Sequence, residues 1–172
     1  MTDDGFSGDL HVLADANAGQ VTASIEIAAP PERVFRALTS EEIVDWWVRP
    51  GVFDTRVWTG DVRVGGRWRA SGMSRGQPYT LEGEYLEVDP PCKLVHTWCL
   101  AGWEEPPATV TFTLQRIAEG TRLTLVHSGF SSADRCLNNR GGWESSLRQL
   151  LDRLRTDRPV RTNSSISRKE TT

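Results

Sequence analysis

The sequence predicts an α+β domain: a mostly antiparallel sheet of about seven strands, two short helices after the first strand, and a long C-terminal helix packed across the sheet. Three observations predict it. Val21, Ala23, Ile25 and Ile27 alternate with Thr22, Ser24 and Glu26, the period of a half-buried strand. From about residue 53 to 128 the chain breaks into six more strand-like segments divided by Gly, Pro and Asp. Behind Gly141 and Gly142, large apolar residues recur at Trp143, Leu147, Leu150, Leu151 and Leu154, with Glu144, Arg148, Gln149, Asp152 and Arg153 turned away. Such a stripe must lie on something apolar and wide, and the strands are the only candidate.

The elements follow in order. After the first strand, Pro30 and Pro31 supply the fixed φ of a helix start, and Val34, Phe35 and Leu38 follow at helical spacing. Thr39 with Glu42 reads as a capping box for a second short helix carrying Ile43, Trp46 and Trp47, which Pro50 and Gly51 stop. The six strands are read at 53–59, 67–71, 80–88, 93–100, 109–116 and 122–128, with Glu119-Gly120 as a tight hairpin link. On the later strands one face collects Leu94, His96, Trp98, then Phe112, Leu114, then Leu123, Leu125, His127, and is turned toward the terminal helix. Residues 80–88 do not sort, because Leu81, Gly83 and Tyr85 compete with Leu86 and Val88 for the inward side.

A chain of 172 residues with 38% apolar content suits one domain with a real core, assigned to 20–155. An acidic tail (1–19) and a basic tail (156–172) are expected to be disordered. A net charge of −3 without a basic stripe excludes a nucleic-acid binder held by phosphate contacts. No apolar run approaches the roughly 18 residues of a membrane span, and the N-terminus lacks the pattern of a signal peptide. Cys92, Cys99 and Cys136 form neither a CxxC pair nor an even set, so a cytoplasmic location is expected.

Several segments carry a family resemblance: Ala29-Pro-Pro-Glu-Arg-Val-Phe35, Asp61-Val-Arg-Val-Gly-Gly-Arg-Trp68, Val88-Asp-Pro-Pro-Cys-Lys-Leu-Val-His-Thr-Trp98, Thr121-Arg-Leu-Thr-Leu125, Gly129-Phe130 and Gly142-Trp143. Across about residues 21 to 155 the chain resembles the Hsp90 ATPase activator homologue family, within the START-like, SRPBCC or polyketide-cyclase-like superfamily. The resemblance implies the helix-grip fold, in which a curved antiparallel sheet grips the closing helix, often around an apolar ligand cavity. Its signature residues answer mostly to turns and packing, so function rests on fold analogy.

The leading expectation is binding of a small apolar or aromatic molecule between sheet and helix, with no defined catalysis. The cavity is assigned to Phe35, Trp47, Trp68, Tyr85, His96, Trp98, Phe112, Leu114, Leu125, His127, Gly142, Trp143 and Leu147. An alternative is an enzyme of the polyketide-cyclase, aromatase or dehydratase type, with His96 or His127 moving a proton in the same cavity. Against it stands the ordinary role of a core histidine bonded to a backbone carbonyl. A second alternative is a module that binds a chaperone or regulator, although a chaperone partner is not expected. No HExxH, paired CxxC, Walker loop or GxSxG elbow occurs, so neither metal nor cofactor is expected. A homodimer through a sheet edge is compatible with the architecture. Gly141 and Gly142 cost helix stability, and space beside the sheet is the expected return.

Overall fold

The computed structural model describes residues 10–170, with side chains described through Arg155. Of the tails expected at 1–19 and 156–172, residues 1–9, 171 and 172 lie outside the described residues, and 156–170 are described by their backbone alone. Among the described residues nine antiparallel strands form one sheet: β1 (Leu10–Asp15), β2 (Gln20–Ile27), β3 (Val48–Arg49), β4 (Phe53–Gly60), β5 (Arg67–Ser74), β6 (Gln77–Asp89), β7 (Lys93–Leu100), β8 (Ala108–Ile117) and β9 (Gly120–Ser128). Their spatial order is β1-β2-β9-β8-β7-β6-β5-β4-β3. Helices α1 (Pro31–Leu38) and α2 (Ile43–Trp46) follow β2, and α3 (Ala133–Glu170) closes the chain.

The helix-grip architecture is as expected, but the sheet has nine strands rather than seven. The two additional strands are its two edges, and both do the gripping: α3 packs against β1 and β2 at one end of the sheet and β3 at the other. Residues 10–15, read from sequence as tail, alternate Leu10, Val12 and Ala14 onto the core, while Leu13 faces out at 70% exposure and blurs the pattern. With only two residues, β3 is too short for any periodicity to mark it.

The face assignments on β7, β8 and β9 hold. Leu94, His96, Phe112, Leu114, Leu123, Leu125 and His127 are all buried, and the apolar stripe of α3 from Trp143 to Leu154 is buried with them. The ambiguity at 80–88 resolves into a bulge. Tyr85 pairs with His96 and Glu87 with Val95, so Leu86 is an extra residue pushed outward. Before the bulge Leu81, Gly83 and Tyr85 face in; after it Val88 does, opposite Leu94. One inserted residue exchanges the two faces, which is why a single alternation could not fit the segment.

The capping box read at Thr39 and Glu42 does not form. Thr39 instead ends α1 and donates through Oγ1 to the Phe35 carbonyl at 2.8 Å, while Glu42 caps α2 without a side-chain cap bond. Its carboxylate is taken by Arg33, with Nη2 at 2.8 Å and Nη1 at 3.1 Å, and by Arg153 Nε at 3.1 Å. A guanidinium fork outcompetes a single backbone N–H for a carboxylate.

Gly83 shows how closely the central strands and the aromatic core meet. A Cβ there would overlap the Thr97 carbonyl oxygen and press on Trp68 Nε1, which donates to that oxygen at 3.2 Å. We expect Gly83→Ala to lower stability by about 3 kcal/mol in urea unfolding, as overpacking against backbone does. A loss below about 1 kcal/mol would show that β6 and β7 part more easily than this geometry requires.

Candidate functional site

Because α3 is held by the sheet's edges, the space beneath its middle is filled by side chains, chiefly aromatic ones. Trp47 stacks on Trp46 (centroids 6.3 Å apart, 12° between planes) and on Trp143 (6.1 Å, 20°), joining α2 to α3. Trp68, Tyr85 and Phe112 surround His96 at 5.1, 5.9 and 6.2 Å. Only about 20 Å³ is left open among them, roughly the space one water needs.

The larger space lies to one side. A cleft of about 270 Å³ opens between the first turns of α3, the β3–β4 turn, the β5–β6 hairpin and the loop between β7 and β8. Trp47, Phe53, Tyr79, Trp98, Trp103, Phe130 and Trp143 form its aromatic walls, and Gly142 leaves them bare on the helix side. The Tyr79 hydroxyl is already engaged: Thr55 Oγ1 donates to the Trp47 carbonyl at 2.8 Å, so at 2.7 Å Tyr79 is the donor to Thr55.

Both histidines sit behind these walls. His96 Nδ1 lies 2.9 Å from the Thr97 carbonyl, and burial pushes its imidazole down to about 4, with that bond pulling upward. His127 packs on Trp98, Phe130 and Trp143 at 4.7, 4.5 and 5.9 Å. Trp143 Nε1–H donates to His127 Nδ1 at 2.9 Å, which places the single proton of the neutral ring on Nε2. Burial first, and then the neighbouring His96, push His127 down to about 3. His127 Nε2 and Trp98 Nε1 are buried without a partner, two N–H donors in one aromatic cluster.

Residues 28–155 match the sequence profile of the family described as activator of Hsp90 ATPase homolog 1-like protein. The chain belongs to this family. Among solved structures it is similar to protein CV1439 of Chromobacterium violaceum, at 29% identity and a TM-score of 0.71 over 79% of this chain and 96% of that one. Protein Ms6760 of Mycobacterium smegmatis is 24% identical with a TM-score of 0.73, covering 84% and 95% of the two chains. CalU16 of Micromonospora echinospora is 25% identical with a TM-score of 0.56, covering 83% and 81%. No curated protein is similar to the chain by sequence. No helix among the described residues is long and apolar enough to cross a membrane.

Within this Hsp90-activator-homolog-like domain the residues assigned to a cavity divide into three groups. Trp47, Trp98, Gly142 and Trp143 line the cleft. Trp68, Tyr85, His96 and Phe112 surround the small gap, with Trp47 and Trp143 shared between the two spaces. Phe35, Leu114, Leu125, His127 and Leu147 are packed in the core. Sequence reasoning missed Phe53, the first residue of a strand whose faces were not assigned, and Tyr79, one residue before the strand read at 80–88, together with Arg49 and Arg75 at the two turns. The signal for Arg75 was present: Arg75-Gly76, at φ 51° and 81°, forms the two-residue link of the β5–β6 hairpin.

Proposed function

We propose that the domain binds a small apolar or aromatic molecule in the lateral cleft and performs no chemistry on it. The observation that carries this reading is a concavity of about 270 Å³ with seven aromatic side chains in its walls and a glycine where a helix would ordinarily present a side chain. Its size is close to the roughly 300 Å³ at which small-molecule sites begin, and transfer of an apolar ligand from water would be its driving force. That neither His96 nor His127 lines the cleft favours binding over proton transfer.

Gly142→Leu separates ligand space from helix packing. A Cβ at 142 would stand 3.6 Å from Phe53 Cε1, an ordinary contact, so the rest of the leucine would extend into the cleft. Helix propensity alone favours the change by roughly 0.5–1 kcal/mol. We expect a binding loss of at least about tenfold for 2-naphthylmethanol, followed by tryptophan fluorescence, with Tm equal or higher. Unchanged affinity in this variant would remove the cleft reading.

A further inference from the structure

Four charged residues line the cleft: Arg49, Arg75, Arg135 and Glu105. They are not equivalent. Arg135 is neutralised, with Nη1 2.8 Å from Glu105 Oε1 and its guanidinium carbon 4.1 Å over the Trp103 ring. Arg75 reaches only a neutral amide, Asn138 Oδ1 at 3.3 Å. The guanidinium of Arg49 has no hydrogen-bond or ion-pair partner among the described residues.

The backbone holds these last two together. Val52 N–H donates to the Arg49 carbonyl at 2.8 Å, and Arg75 N–H donates to the Val52 carbonyl at 2.8 Å. Arg75 adopts φ 51°, a left-handed conformation that a side chain rarely takes, at the hairpin tip beside the cleft. Facing them on α3 are Asn138 and Gly141, three residues apart and therefore on one side of the helix. A Cβ on Gly141 would stand 2.7 Å from Arg49 Nη1 and 3.0 Å from its Cζ. The guanidinium thus occupies the space that a side chain at 141 would fill. Gly142 opens the apolar cleft, and Gly141 seats a cation at its edge.

We propose that the ligand is an apolar organic anion, an aromatic or aliphatic body bearing one carboxylate, with Arg49 taking the carboxylate and Arg75 beside it. The inference rests on the cleft reading and specifies its substrate class. A half-buried guanidinium without a counter-charge, in a chain of net charge −3, lacks the partner that its planar fork is shaped to hold. A carboxylate matches that fork in a bidentate pair. The aromatic walls accept the body, so both halves of such a molecule are accounted for by adjacent parts of one site.

The test compares 2-naphthoate with 2-naphthylmethanol by titration calorimetry at neutral pH on the wild-type chain, Arg49→Gln and Gly141→Ala, with circular dichroism confirming the fold of each. The wild type should bind the acid at least about tenfold more tightly than the alcohol. Arg49→Gln should bring the two affinities to within about twofold, mainly by weakening the acid. Gly141→Ala keeps every charge but displaces the guanidinium, and should reduce the same preference. Equal binding of acid and alcohol by the wild type, or a preference untouched in Arg49→Gln, overturns the carboxylate assignment and leaves the cleft reading standing. Binding of neither compound overturns both.

Discussion

Acidification from pH 7 to about pH 5 is expected to remove about 4 kcal/mol of folding stability through His96 and His127 alone. Both rings are buried and neutral in the fold, with pKa values pushed down to about 4 and about 3, whereas the unfolded chain titrates near 6.5. Through this window the unfolded state binds more protons than the native one, so stability rises with pH and falls as pH drops below 6.5. The physical obstacle is clearest at His127. A proton on Nδ1 would confront the Trp143 N–H that this nitrogen now accepts, and the ring, at 0% exposure, does not reach bulk solvent. Against a typical total of 5–15 kcal/mol the loss is large. Urea midpoints at pH 7, 6 and 5 would show it, and His96→Phe and His127→Gln should each remove about half of the slope. A flat profile in the wild type, or the full slope in both variants, would show that these rings accept protons without unfolding.

How much of this was legible in the sequence depended on whether one residue's place could be read from its neighbours. The strands β7 to β9 were legible because one face is buried without interruption, so period two survives intact from Leu94 to Trp98 and from Leu123 to His127. The stripe of α3 was legible for the same reason at helical period. Where the chain inserts a residue, as at Leu86 in β6 and between Thr55 and Val57 in β4, alternation carries no record of which side wins. The edges β1 and β3 depended on their grip of α3, a tertiary fact. The cleft was harder still. Trp47, Trp98, Gly142 and Trp143 were named for a central cavity, but the stacking of Trp47 between Trp46 and Trp143 fills the centre and leaves the open space at one side. Volume is set by rotamers and ring stacking, and neither is encoded in a pattern of apolar positions.

Replacing Glu42 by alanine is expected to cost about 3 kcal/mol at neutral pH. Glu42 precedes α2, Arg33 lies on α1 and Arg153 on α3, so one carboxylate ties all three helices. The Arg33 side chain is only 10% exposed and that of Glu42 18%, whereas Arg36, 3.5 Å away but 65% exposed, adds little. Burial is the largest single influence on Glu42 and pushes its pKa up. The bonds and charges of Arg33 and Arg153 together outweigh it and hold the carboxyl below the usual 4.5. A depressed carboxylate contributes stability that is present above the unfolded pKa and is lost as pH falls through the folded one. The gap between wild type and Glu42→Ala should therefore stay constant across the histidine window and narrow only below about pH 4.5. Glu42→Gln, which keeps the shape and weaker hydrogen bonds, should lose less at neutral pH. A gap that persists undiminished toward pH 3 would mean that the helices are tied by packing around the side chain and not by its charge. The histidine slope, expressed well above that pH, supplies the internal control, because it depends on groups that Glu42 does not touch.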